Sequence, residues 1–458
     1  MIRIFFPILV ASFVIAQSNS RLSITKSEGS NKLEDLETRK DIISAELKHE
    51  LDNEFRLWYP LCLDHEYGGY YSDINYKWEV EGEQTKMIVT QSRHIWSNAH
   101  AALFYGTDKP YKAYAEHGLK FLRDVMWDNK FGGFYNLVDR KGNVIKEDGK
   151  IIKQAYGNAF AIYGLAAYYK AFGDTTAINL AKRTFYWLEE HSFDNKYGGY
   201  FQFISQDGIP YKEGYEGEPP KDQNSSIHLL ECYGELYSVW PDSRLKDRLN
   251  SLLHIIRDTV IGDKKYMTLF FKQDWTPVSF RDSSRKVLER NYDYDHISFG
   301  HDVETAYLML EASKELGIEN DSITIRVARE LDEFALQNGW DNKNGGIYDR
   351  GYIFKGEKEV TIIKDAKEWW CQIEALNSFL LMSKLFPDAK EKYYEKFCIE
   401  WEHIKEYLID HVNGGWFWDS SDTRPEVKQA PKSSIWKCTY HTARGLMNSI
   451  EQLKNESK

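Results

Sequence analysis

Three histidines stand three residues ahead of a charged side chain, a spacing that puts both groups on one face of a helix. His228 precedes Glu231 in QNSSIHLLECYGELY (223–237), His301 precedes Glu304 in HISFGHDVETAYLMLEA (296–312), and His441 precedes Arg444 in WKCTYHTARGLMNSI (436–450). A carboxylate beside an imidazole favours its charged form and fixes which ring nitrogen carries the proton, whereas a guanidinium disfavours the charge. Imidazoles tuned in opposite directions suit proton transfer at two faces of one carbon. A single histidine on a half-apolar helix is more often a satisfied core or rim group. Three on equivalent elements argue for convergence. Neither HExxH nor CxxC spacing is present, so no metal site is expected, and a metal held by the three rings together ranks below proton transfer.

Other candidates flank them. Trp369, Trp370 and Glu374 lie in KEWWCQIEAL (367–376), and Trp436 precedes His441 by five residues. Neighbouring tryptophans point different ways on a helix, so one is expected to stack on ligand and the other to pack inside. Arg93, in TQSRHIW (90–96), is placed to reach a sugar oxygen or to stay a solvated arginine. Tyr156 and Asn224 open two helical stretches, where they can bind hydroxyls; capping is the ordinary role of Asn there.

The elements that position these residues repeat. HEYGGYYSD (65–73), DNKFGGFYNLVD (128–139), DNKYGGYFQF (194–203), DNKNGGIYDR (341–350) and HVNGGWFWD (411–419) share an Asp/Asn-rich turn, paired glycines and an aromatic strand. Their first glycines, Gly68, Gly132, Gly198, Gly345 and Gly414, are 64, 66, 147 and 69 residues apart. The long interval holds two units, the missing one being the degenerate GDKKYMTLFF (262–271). Six units with two helices each give about twelve helices. Alanine- and glycine-rich stretches such as YGNAFAIYGLAAYYKAFG (156–173) have the composition of tightly packed helices. The expected fold is all-α: an (α/α)6 barrel with short β-hairpins at one end and a cleft at its axis.

The N-terminus reads differently. Arg3 followed by the apolar run Ile4–Ala16 and small residues at Ala16, Ser18 and Ser20 has the form of a signal peptide over residues 1–20. Residues 21–40 read as a polar linker, and 41–458 as one barrel domain. The chain is therefore expected to be exported, periplasmic or secreted, with no membrane span after signal removal. A formal net charge of −11 argues against nucleic acid or anionic membrane as a partner. Five scattered cysteines make neither a disulfide framework nor a thiolate zinc site. Aromatic residues make up 15% of the chain, fourteen of them Trp, enough flat surface to suit a sugar ligand. A monomer, or at most a dimer, is expected.

At QSR (91–93), NSSIHLLE (224–231), GHDVE (300–304), WWCQIE (369–374) and WKCTYHTAR (436–444) the chain resembles the N-acylglucosamine 2-epimerase superfamily. Within it, the cellobiose and mannobiose 2-epimerase branch is nearest, because Phe299 precedes Gly300 where the other branches usually carry Pro-Gly-His. Thr439 and Thr442 depart from that branch, which often has Pro and Asn there. The resemblance implies a cofactor-free 2-epimerase that inverts C2 of the reducing-end sugar of a β-1,4-linked disaccharide through an enediol. It implies His301 and His441 as the acid–base pair and Glu304 as the group raising the basicity of His301. His228 and Arg93 would polarise the open-chain aldehyde oxygen, Trp370 and Trp436 would stack on sugar rings, and Tyr156 and Asn224 would hold hydroxyls. The alternatives are an N-acylglucosamine 2-epimerase or aldose–ketose isomerase of the same superfamily, and an (α/α)6 glycoside hydrolase drawing two carboxylates from Glu231, Glu304 and Glu374. A non-catalytic sugar-binding protein is the third class.

Overall fold

The computed structural model describes residues 29–318 and 320–454, with side chains from residue 38 onward. Its helices are α1 Gly29–Trp58, α2 Ile88–Tyr105, α3 Tyr111–Phe121, α4 Ala155–Phe172, α5 Thr175–His191, α6 Gln223–Val239 and α7 Ser243–Ile255. Two short helices follow, α8 Arg285–Arg290 and α9 Tyr292–Asp295, and then α10 Phe299–Glu315, α11 Ser322–Asn338, α12 Trp369–Leu385, α13 Tyr393–His403 and α14 Tyr440–Lys454. The barrel is the unit Ser44–Lys458, and Met1–Ile43 forms a unit of its own.

Six of these helices form an inner ring. α2, α4, α6, α10, α12 and α14 each pack on the next, and α14 closes on α2. Outside them, α3 lies on α2, α5 on α4, α7 on α6, α11 on α10 and α13 on α12. The Ser44–Trp58 part of α1 completes the outer ring, joined to α2 by Tyr105 Oη donating to Asp52 and to α13 by Trp401 Nε1 donating to Glu46. The twelve expected helices are all present as a double ring, the (α/α)6 barrel.

Composition explains which helix goes where. α4 is buried from Ala155 to Tyr168 without a break, so it can only be an inner element. It lies close on α2, because a Cβ at Gly164 would stand 2.7 Å from the Ser92 carbonyl oxygen. Outer α11 instead buries a stripe, Val327, Ala328, Leu331 and Ala335, at helical spacing.

The repeated turns act as latches. Asp64, Asp128, Asp194, Asp341 and Asp410 each accept backbone N–H bonds from their own turn. The paired glycines that follow all have positive φ, which a side chain would strain. The free carboxylate oxygen of each aspartate meets a buried lysine: Lys86, Lys153, Lys221, Lys367 and Lys432, at 2.6–2.9 Å. The degenerate fourth unit has neither partner. Ile297 stands two residues before α10, where lysines stand before α2, α4, α6 and α12. Losing both partners avoids the cost of one uncompensated buried charge.

Short strands sit where inner helices begin. β1 Lys86–Met87 precedes α2 and pairs with β2 Leu137–Val138, β3 Ile152–Gln154 precedes α4 and pairs with β4 Phe203–Ser205, and β5 Lys221–Asp222 precedes α6 and pairs with β6 Phe270–Phe271. β7 Ile297–Ser298, β8 Arg350–Tyr352 and β9 Thr361–Lys364 form an antiparallel triplet ahead of α10. Each leading strand thus pairs with the next unit's hairpin, and the hairpins gather at one end of the barrel.

α1 starts at Gly29, so much of the stretch read as linker is helical, its charged residues being compatible with a helix as well as with a coil. The expected signal peptide lies outside the described residues. Among the described residues no helix is long and apolar enough to cross a membrane, and no disulfide joins the five cysteines, all buried.

Candidate active site

The candidate residues occupy the first two turns of the inner helices, at the hairpin end. Arg93 is on α2, Tyr156 on α4, Asn224 and His228 on α6, His301 on α10, Trp369 and Trp370 on α12, and His441 on α14. With Glu304 and Trp436 they line one cavity of about 250 Å3, to which Glu368 and Trp418 also contribute. Glu374 sits behind it. Larger grooves exist, one of about 570 Å3 between α1 and α13, but that one lies outside the ring and receives no inner-helix side chain.

Beneath the cavity one cation gathers the carboxylates of three helices. The Arg444 guanidinium donates to Glu231 Oε1, to Glu304 Oε1, to Glu374 Oε1 at 2.6 Å and to Tyr440 Oη. Tyr440 also donates to Glu231 Oε1, and Tyr307 donates to Glu374 Oε2. All six residues are buried. The arginine and its bonds to His228 and Tyr440 hold the Glu231 carboxyl well below its usual range, even though burial pushes it up. Burial wins at Glu374, whose pKa is raised.

His441 hangs from this network. Its Nδ1 is 2.6 Å from Glu374 Oε1. Three donors converge on the two oxygens of Glu374, so the carboxylate accepts, His441 carries its proton on Nδ1, and Nε2 is left with a lone pair. Burial first, then the Arg93 charge, holds the imidazolium of His441 well below the ordinary range. His228 is oriented the same way, with Nδ1 2.9 Å from Glu231 Oε2.

His301 is held otherwise. Its Nδ1 is 2.8 Å from Ser298 Oγ rather than bonded to Glu304. Glu304 turns to Arg444, and its other oxygen has no hydrogen-bond partner. Glu304 acts on His301 only through its charge, which opposes burial; the pKa still falls to about 4. The pairing expected from sequence spacing is therefore corrected, because a guanidinium across the ring outcompetes an imidazole on the same helix. The expected pairing of His441 with Arg444 is likewise mediated, with Glu374 standing between them.

Trp370 lies between the imidazoles, its ring 4.7 Å from that of His301 and 5.8 Å from that of His441. The approach of α10 to α12 depends on Gly300, since a Cβ there would stand 2.9 Å from Trp370 Cη2. Trp369 is 3% exposed and packs on Trp418 at 4.7 Å while also bordering the cavity, whereas Trp370 is half-buried. Arg93 is not solvated: it is buried, donates to Tyr156 Oη at 3.2 Å and lies over the Phe160 and Tyr440 rings. Asn224 does not cap α6; Asp222 does. Sequence reasoning missed Ser298, Glu368 and Trp418, and misjudged the reach of Arg444. Three inner-helix glutamates that need a cation were the available signal for Arg444.

Glu304, Glu374 and His441 bring possible metal-ligand atoms within 4.8 Å of one another. The Arg444 guanidinium already bridges the two carboxylates. The arrangement as it stands offers three imidazoles with Nδ1 engaged and Nε2 unbonded, a buried guanidinium in Arg93 and aromatic walls, a set suited to moving a proton at a carbon beside a carbonyl.

The family model of N-acylglucosamine 2-epimerase (GlcNAc 2-epimerase) matches residues 69–444. The chain is similar to the cellobiose 2-epimerase of Bacteroides fragilis, 29% identical over 88% of this chain and 97% of that one. It is equally similar to the cellobiose 2-epimerase of Ruminococcus albus, 29% identical over 89% of this chain and 98% of that one. Among solved structures, the cellobiose 2-epimerase from Spirochaeta thermophila superposes with a TM-score of 0.78 at 27% identity, covering 92% of this chain and 99% of that one.

Proposed function

The chain belongs to the N-acylglucosamine 2-epimerase family, and we propose that it inverts C2 of the reducing-end sugar of a β-1,4-linked disaccharide of the cellobiose, mannobiose or lactose type, without a cofactor. One observation carries the reading. Two imidazoles, on helices flanking α12, face one cavity with Nδ1 engaged and Nε2 left for a substrate.

Ring opening gives a C1 aldehyde, which acidifies the C2 proton. A neutral imidazole removes that proton through Nε2 and becomes charged. The electron pair of the C2–H bond moves into an enediolate, whose oxygen charge Arg93 and His228 stabilise. The intermediate then presents its other face, and the second imidazole, entering the step protonated, delivers its proton to C2. The two rings end with their protonation exchanged. Burial favours the neutral form of both rings before substrate binds, the state a base needs. The ring that donates takes its proton from solvent as the anionic intermediate forms, and the ring that removed the C2 proton returns one to solvent after turnover. The charge of the enediolate favours protonation of the ring that must donate. Trp370 and Trp436 offer faces for the sugar rings. Delivery to C1 instead gives the ketose, so some isomerisation accompanies epimerisation.

A hydrolase reading is weaker here, because Glu231, Glu304 and Glu374 are all bonded to Arg444 and leave no free acid–base pair. The test is incubation with cellobiose and with mannobiose in D2O, followed by NMR. Loss of the C2 proton signal together with appearance of the C2 epimer is expected. Monosaccharide release without C2 exchange would sink the proposal.

A further inference from the structure

We propose that Ser298 is a positioning residue: its hydroxyl, withdrawn from capping α10, holds a proton on Nδ1 of His301 so that only Nε2 exchanges protons with substrate. The inference rests on the epimerase reading of the cavity for its consequence, but not for its geometry.

Ser298 is the N-cap residue of α10, with extended backbone angles (φ −104°, ψ 93°), and it is 5% exposed. Serine is favoured at that position because its oxygen accepts from the N–H groups of the first turn. Here it makes no such bond, and the oxygen lies 2.8 Å from Nδ1 of His301, the third residue of the helix. Asp174, Asp222, Asp242 and Asp321 cap in the ordinary way, accepting from helix N–H groups, whereas Ser284 and Asn291, ahead of short α8 and α9, do not. On the neighbouring inner helix a second N-cap side chain is turned to a ring. Glu368, the N-cap residue of α12, makes no side-chain cap, and its Oε2 accepts from Nε1 of Trp370 at 2.9 Å. The two helices whose rings meet across the cavity have both given up a cap bond to hold a ring. A local rule broken at matched positions beside a cavity marks a functional demand.

That demand differs between the two imidazoles. The carboxylate on His441 settles its tautomer. No carboxylate bonds either nitrogen of His301, and its hydrogen-bond partner, the Ser298 hydroxyl, can accept from Nδ1–H or donate to a bare Nδ1; only the accepting arrangement leaves Nε2 able to take a proton. With the proton on Nε2 a neutral ring could not accept from C2. The backbone of Ser298 is fixed in turn by pairing with Arg350 on β8.

The experiment compares Ser298→Ala and Ser298→Thr with the unaltered protein. 15N NMR of selectively labelled histidines, with His301 assigned by its loss in His301→Gln, should show Nδ1–H in the unaltered protein and in Ser298→Thr. Ser298→Ala should show Nε2–H or a mixture. On cellobiose, Ser298→Ala should lower kcat on the order of tenfold to a hundredfold with KM within about twofold, and Ser298→Thr should restore most of it. Thermal melting should be unchanged, since no cap bond is lost. A Ser298→Ala protein that keeps the Nδ1–H tautomer and full kcat overturns the proposal. So does one whose only defect is a lowered melting temperature, the mark of a cap. If the unaltered protein does not epimerise cellobiose, the functional reading fails, while the NMR comparison still decides whether Ser298 sets the tautomer.

Discussion

The floor and the rim of the cavity are built on opposite plans. At the floor, Arg444 binds Glu231, Glu304 and Glu374 from three other inner helices, all buried, and His228 and His441 are oriented through two of these carboxylates. At the rim, Trp436 is 48% exposed, and the contacts that fix it are made by its backbone, with Ser434 Oγ and Arg93. Buried charges hold a fixed geometry only while every partner is present. An exposed aromatic face offers contact area without committing the fold. The floor should therefore answer to mutation through stability and chemistry together, and the rim through substrate recognition alone.

The severest test of that contrast is Arg444→Met. It leaves three buried carboxylates without their cation, a defect worth about 3–5 kcal/mol. Denaturant unfolding should show the loss, and adding Glu231→Gln and Glu304→Gln should recover part of it. An Arg444→Met protein that unfolds at the unaltered denaturant concentration would erase the distinction between floor and rim.

Next come the imidazoles themselves. His301→Ala and His441→Ala should each cut turnover on the order of 10²- to 10⁴-fold, the usual worth of a general acid or base. They should differ in stability. His301 leaves only a serine hydroxyl unpartnered, whereas His441 also releases a bond to Glu374. Either variant retaining near-full turnover would remove that ring from the pair.

The same contrast marks what could be read from sequence. Five of the six units were legible because each paired-glycine turn needs positive φ, a demand written locally, and the sixth from the double interval it fills. Ten site positions were legible because the turns announce where inner helices begin, and side chains in those first turns meet at the axis. The floor's wiring was not. Glu304 was assigned to His301 by helical spacing, but its partner lies 140 residues away on α14. Ser298 looked like an ordinary residue before a helix, since nothing local shows that its hydroxyl leaves the cap. Long-range competition for a hydrogen bond has no period in the sequence.

A gentler probe of the buried interior is acid. Burial lowers His301 and His403 to about 4, and His94 and His296 to about 3, from the ordinary 6.5. Between about pH 6.5 and 4 the unfolded chain binds protons that the folded chain refuses, so stability is lost as pH falls through that window. The urea midpoint should decline steadily below pH 6.5, and mutating His94, which lies outside the cavity, to a neutral ring should flatten the decline. Affinity for a sugar at the rim should change little over the same window, since an indole does not titrate there. A flat stability profile would mean that these rings are not buried neutral.

The smallest effect is expected at Trp436. Stacking one sugar ring on an indole is worth about 0.5–1.5 kcal/mol beyond burial, severalfold to tenfold in a binding constant. Trp436 is the one exposed residue lining the cavity of about 250 Å3, so under the proposed function its contact is expected with the sugar remote from the reacting carbon. Remote binding energy can orient the reacting end, and its loss lowers turnover as well as affinity. Free glucose, mannose and N-acetylglucosamine should therefore be poor substrates beside cellobiose, mannobiose or lactose. Trp436→Ala should narrow that gap by harming the disaccharides, with melting unchanged because the ring supports no core. Trp370→Ala, which removes the indole between the two imidazoles, should instead lower turnover of every substrate. If Trp436→Ala hurts glucose and cellobiose alike, the rim carries no second-sugar contact. If N-acetylglucosamine proves the best substrate, the disaccharide assignment falls, while the roles proposed for the floor stand.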